Sequence, residues 1–144
     1  MTIRTATTRW TGDLRSGTGH VTFVSSGAGE FDVTFPSRTE SPDGKTSPEE
    51  LIAAAHSSCL AMNLSGVLAK ENLVADAIDV RAEVTLGPAT GGGLEISGIA
   101  ITLRATVDGV DADAFAELAK TAERTCPVSK ALAGTTITLD AALA

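Results

Sequence analysis

The stretch "SPEELIAAAHSSCLAMNLSGVLAK", Ser47 to Lys70, constrains this chain more than any other. Ser47 can serve as N-cap, Pro48 stands at N1, and Glu50 at N3 completes a capping box. Glu49 and Glu50 both favour the positive end of a helix. The pattern predicts a helix ending near Lys70 or Glu71, about 36 Å long at 1.5 Å per residue. Its apolar residues occupy nearly the whole circumference, and such a helix is buried on all sides. In a chain of 144 residues, that means a central helix with a sheet on one side and a partner on the other. Yet Cys59 sits in the middle of this segment, and His56 lies one turn before it.

The flanks read as sheet. Residues 4–10, 19–26 and 30–36 alternate or are β-branched, with Val21 and Phe23, then Phe31, Val33 and Phe35, on the apolar side. The pieces between them are turn-rich, so the opening third is an antiparallel meander. "SRTESPDGKT" is a polar loop leading into the helix. Residues 77–87 and 94–109 form a long hairpin around "GPATGGG", with a bulge expected at Gly98. Residues 111–125 are amphipathic, with Phe115, Leu118, Ala119 and Ala122 on one face and Asp111 or Asp113 as cap. "CPVSKALAG" opens a short helix stopped by Gly134, and "TTITLDAAL" closes the chain as a strand. Antiparallel hairpins with segregated helices give an α+β fold in one domain, 1–144.

Charge narrows the partners. The formal net charge is -7 with no dense basic run, a surface that repels phosphate backbones and anionic membranes. Nucleic acid and membrane are therefore not expected as partners. The polar start "MTIRTATTRWTG" is unlike a secretory signal, and His56, Ser57, Ser58, Asn63 and Ser65 interrupt the apolar helix, so a cytoplasmic protein is expected. In that compartment two cysteines are ordinarily reduced, and a disulfide is more often transient and catalytic than structural. With one Trp, four Phe and no Tyr, the core must be built from Ala, Leu, Ile and Val.

Several chemistries lack their residues. Cys59 and Cys126 are 126 − 59 = 67 residues apart, neither a CxxC motif nor a zinc spacing, and a four-ligand zinc site would consume both histidines of the chain. "GPATGGG" lacks the Lys-Ser/Thr of a phosphate loop. Neither a zinc site nor a phosphate loop is expected. A dithiol remains. A thiol oxidised to sulfenic acid can condense with a second thiol to a disulfide. Each cysteine also has a plain reading: Cys59 as a packed small hydrophobe, Cys126 as a structural residue before Pro127. An active Cys59 in apolar surroundings needs a cation, since burial raises a thiol pKa. His56 could supply one, although a histidine there is more often a hydrogen-bonded core residue. Arginine, which stays charged when desolvated, is the usual choice.

The run "SPEELIAAAHSSCLAMNLS", followed at a distance by "CPVSKAL", resembles the OsmC branch of the OsmC/Ohr family of thiol peroxidases. Pro-Glu-Glu-Leu opens the helix, His-x-x-Cys lies inside it, and Cys-Pro-Val-Ser follows far downstream. The resemblance implies reduction of organic hydroperoxides, and less efficiently hydrogen peroxide, in oxidative or osmotic stress defence. It implies no metal or prosthetic group, an external dithiol reductant, for example of lipoyl type, and an intertwined homodimer. Carried over by position, Cys59 is the peroxidatic thiol, Cys126 the resolving thiol and Glu49 the active-site glutamate. Arg38, in "FPSRTE", is taken as the arginine that Glu49 would hold in a bidentate pair; Arg15, in "DLRSGTG", is the alternative. His56 and Met62 are expected to line the substrate site, and Asn63 to add a polar group to it. Ten residues of helix keep Glu49 about 15 Å from Cys59 along the axis. A glutamate acting on Cys59 should therefore come from the partner subunit. A redox sensor or hydrophobic-ligand carrier on the same scaffold is the alternative, and a cysteine hydrolase with His56 as base is a third reading.

Overall fold

The computed structural model describes all 144 residues, as two compact units, Met1–Leu51 and Ile52–Ala144. In the first unit, β1 (Thr7–Thr11), β2 (Thr18–Thr22) and β3 (Glu30–Val33) form the expected antiparallel meander in that order. Trp10 faces Gly19 across β1 and β2. A Cβ on Gly19 would lie 2.6 Å from Val33 Cγ2 and 2.9 Å from the Trp10 ring, so glycine lets that indole lie flat on β2.

The strand reading of 30–36 ends early. Thr34 caps a short helix, α1 (Phe35–Thr39), in a reciprocal capping box with Ser37, so Phe35 lies outside the sheet. The polar loop thus contains a helical turn. Ser37 Oγ also donates to the Thr46 carbonyl, which ties α1 to the approach of the long helix. Phe31, expected on the apolar side, is 41% exposed and stacks at a tilt against Phe23, with ring centroids 5.3 Å apart.

The long helix, α2 (Pro48–Lys70), has the expected limits. Ser47 Oγ accepts from the Glu50 amide as an N-cap should. The other half of the box is absent, because the Glu50 carboxylate accepts from the Thr46 hydroxyl instead. By length and composition α2 could cross a membrane. In the fold it packs as a core helix along one stripe only. Leu60, Leu64 and Leu68 are completely buried, while Met62 on another face is 70% exposed. The expectation of burial on all sides is therefore met on one side in the single chain.

The second unit carries the core. Strands β4 (Ala75–Pro88) and β5 (Leu94–Val107) form the long antiparallel hairpin, turned through Gly91, Gly92 and Gly93, all at positive φ. The register shifts between Thr85 opposite Gly98 and Leu86 opposite Ile96, so the extra residue is Ser97, next to the expected Gly98. Strand β6 (Ile137–Leu143) lies beside β5 and parallel to it. A parallel neighbour needs a crossover, supplied by α3 (Ala112–Thr125) and α4 (Pro127–Ala131). Asp111 is the N-cap of α3. Gly134 is not the stop of α4, which ends at Ala131 with Leu132 as C-cap. Central strand β5 presents Ile99, Ile101 and Leu103 to the core, facing Leu60 and Leu64 of α2 and Phe115 of α3. Phe115 is the one aromatic residue of that core, as the composition anticipates.

Candidate active site

The core of the second unit brings together two sulfurs that the sequence separates. Cys59 stands mid-way along α2, and Cys126 is the single residue joining α3 to α4. Their Sγ atoms are 3.3 Å apart, and neither is bonded covalently. A disulfide needs about 2.05 Å, so the pair must close by roughly 1.2 Å. Cys126 is fully buried, whereas Cys59 is half-buried and reachable.

Their surroundings differ in sign. Burial pushes the Cys59 thiol up, and the amide of Val128 offsets this only in part. Burial also acts on Cys126, but the Ser129 amide, the Cys59 thiol, the Ser129 hydroxyl and the Val128 amide outweigh it, and its thiol is held below the ordinary value. Between the two thiols, these neighbours favour negative charge on Cys126. Backbone amides at the start of α4 thus favour a Cys126 thiolate. No cation is among the groups that act on the Cys59 thiol.

His56 does not fill that gap. It is completely buried, its Nε2 lies 2.8 Å from Ser129 Oγ, and Nδ1 has no partner. Burial pushes its pKa down, so the ring is neutral near pH 7. The structure thus places His56 in the core, bonded to the segment after Cys126, and not on a surface open to substrate. Met62, by contrast, is exposed. Asn63 turns its amide into α3, donating to the Ala122 carbonyl at 2.6 Å and the Thr125 hydroxyl at 2.8 Å. Sequence reasoning singled out neither Ser129 nor Thr125. Both lie within three residues of Cys126, and a hydroxyl at such a position was the available signal.

Arg38 and Glu49 meet within the first unit. Arg38 directs Nε at 2.9 Å and Nη2 at 2.7 Å to a single oxygen, Glu49 Oε1. The expected two-oxygen pairing is therefore replaced by a fork closed on one atom, and Glu49 Oε2 is buried without a partner. The α1 turn missed in the sequence carries Arg38 in its last turn. Arg15 contributes its backbone amide to a turn closed by Asp13 Oδ1, and its side chain has no part in that turn. No three His, Cys, Asp or Glu side chains converge as a metal-binding group.

Comparison with known proteins places these residues in context. Residues 41–140 match the family described as OsmC-like protein. The chain is 37% identical over 131 residues to the peroxiredoxin OsmC of Escherichia coli K12, covering 91% of this chain and 90% of that protein. Its fold superposes on the organic hydroperoxide resistance protein OhrB of Bacillus subtilis with a TM-score of 0.74, at 27% identity, covering 97% of this chain and 98% of that one. An organic hydroperoxide resistance protein from Elizabethkingia anophelis gives 0.73 at 27% identity, with 99% of each chain covered.

Proposed function

This chain belongs to the OsmC-like protein family, and on that footing we propose that it is a thiol-dependent peroxidase that reduces organic hydroperoxides in stress defence. The observation that carries this reading is the 3.3 Å approach of the Cys59 and Cys126 sulfurs, one reachable and one buried. The Cys59 thiolate attacks the terminal peroxide oxygen. An S–O bond forms, the O–O bond breaks, and the alcohol leaves after taking a proton. The Cys126 sulfur then attacks the Cys59 sulfenic acid, a disulfide forms, and water departs. An external dithiol, for example of lipoyl type, reduces the disulfide by exchange. The neighbours that hold Cys126 acidic suit it to the second step, since a thiolate is the attacking species.

Cys59 needs a positive charge to be the first nucleophile, and Arg38 is the proposed source. Closed on Glu49 by two N–H donors, its guanidinium is held in one direction. Glu49 and Cys59 stand ten positions apart on one continuous helix, about 15 Å of axis, so the Arg38–Glu49 pair is assigned to Cys59 of a second copy. The uncovered face of α2, including Met62, supports a homodimer and supplies apolar lining for an organic hydroperoxide.

The test is steady-state consumption of cumene hydroperoxide with dihydrolipoamide by the wild type, Cys59→Ser and Cys126→Ser. The wild type should turn over, and Cys59→Ser should be inert. Oxidation that stops after one equivalent in the wild type would instead make the protein a sensor.

A further inference from the structure

Cys126 occupies a joint. Its backbone is extended, at φ -61° and ψ 123°, between the last residue of α3 and the first of α4. Its own backbone bonds run to Glu123 and Lys130, inside the same segment, and fix nothing relative to α2. Apart from the thiol pair and the Val128 amide beside the Cys59 sulfur, three side-chain hydrogen bonds join α2 to this joint. Asn63, four residues after Cys59, donates to the Ala122 carbonyl and the Thr125 hydroxyl. His56, three residues before Cys59, bonds Ser129. Their partners lie on opposite sides of Cys126, Ala122 and Thr125 before it and Ser129 after it. We propose that Asn63 and the His56–Ser129 pair are positioning residues that bracket Cys126 against Cys59, so that a sulfenic acid at Cys59 is captured as a disulfide before a second peroxide reaches it.

The chemistry of each bracket is consistent. The Ala122 carbonyl is one of the last four of α3, which lack partners within the helix. The Thr125 hydroxyl proton goes to the Thr121 carbonyl, which leaves its oxygen free to accept from Asn63. On the other side, His56 Nδ1 is buried and unpaired. A proton there would be an unsatisfied buried donor, so the neutral ring carries its proton on Nε2 and donates to Ser129 Oγ. The serine proton is then free for the Cys126 sulfur, one of the contacts that hold that thiol acidic. The competing step is also balanced: a second hydroperoxide transfers one oxygen to the Cys59 sulfenic acid, giving sulfinic acid and alcohol. Whichever step is faster decides the fate of Cys59.

Only the sulfenic-acid half of this inference rests on the peroxidase reading. The positioning half is tested by equilibrating the full chain with reduced and oxidised glutathione and measuring the disulfide by alkylation and mass spectrometry. Asn63→Leu and Ser129→Ala should each lower the dithiol–disulfide constant about tenfold, the scale of losing one positioning hydrogen bond, while Ser129→Thr should stay within about twofold of wild type. A purely structural role would lower the urea midpoint of the reduced protein and leave that constant unchanged. An unchanged constant in either folded variant overturns the bracket. A pulse of cumene hydroperoxide should then give severalfold more Cys59 sulfinic acid in Asn63→Leu than in wild type, and equal amounts would overturn the protective role. If hydroperoxide leaves Cys59 untouched, the peroxidase reading fails, while the glutathione equilibrium still decides the positioning.

Discussion

Arg38 places two N–H donors on one oxygen of Glu49, Oε1, and leaves Oε2 buried and unpartnered. The glutamate side chain is 9% exposed and the arginine 34%. A guanidinium about one-third exposed is thus anchored by a buried carboxylate with acceptor capacity to spare. Such an arrangement directs the cation more than it stabilises the fold.

Arg38→Lys should keep the charge and lose the fork. Lysine offers a point charge on a flexible stem, without two donors in a fixed plane. The rate of Cys59 oxidation by cumene hydroperoxide should fall about a hundredfold, the scale of losing one aligned charge donor. Stopped-flow measurement with the dithiol omitted reads this step alone. A rate within twofold of wild type would remove Arg38 from the site.

The pH profile offers a second check. Burial raises the Cys59 thiol, and the reactive form is the thiolate, so the oxidation rate should rise with pH until the thiol is titrated. A cation beside Cys59 lowers the pH of the plateau. Arg38→Ala should therefore keep rising beyond the pH at which the wild type levels off. Coincident profiles would mean that Cys59 is activated by another group.

His56 makes stability pH-dependent in a defined direction. Its pKa is depressed in the folded chain, so below about 6.5 the unfolded chain binds a proton that the folded chain resists. Above that pH the ring is neutral in both states and stability is complete. As pH falls from 7 toward 5, the urea midpoint should drop. His56→Gln should reduce this slope while lowering stability at pH 7, where Ser129 loses its partner. An unchanged slope would assign the acid sensitivity to other groups.

In the core, Phe115→Ala should cost about 3–5 kcal/mol, the usual range for a buried aromatic. Equilibrium urea unfolding reads it directly. Gly19→Ala should loosen the first sheet, because the added methyl meets Val33 and the Trp10 ring at under 3.0 Å. Trp10 is the single tryptophan of the chain, so its fluorescence reports that change alone.

The helix around Cys59 was legible because its signals are local. Pro48, Glu49 and the apolar run fix its ends and its character within two dozen residues. The hairpin was legible for the same reason, through its period of two. The turn carrying Arg38 was not, since Thr34 and Ser37 form a capping box inside a string that reads as strand and then loop. Parallel pairing of β6 with β5 was also hidden, because alternation tells which face is buried and not which way a neighbour runs. The sulfur pair could be suspected from chemistry but not placed. Its geometry depends on Asn63 and Ser129 meeting groups 59 and 73 residues away, and no local pattern encodes such meetings.

The position of the two thiols also changes how durable the protein is. A bond between Cys59 and Cys126 closes a loop that contains the end of α2, the whole β4–β5 hairpin and all of α3. By loop-closure entropy, a ring of this size restrains the unfolded chain by about 4 kcal/mol. Each turnover would thus carry the second unit between a looser reduced form and a tougher oxidised one. The survival of the protein against heat or a protease would then record how recently it had met an oxidant.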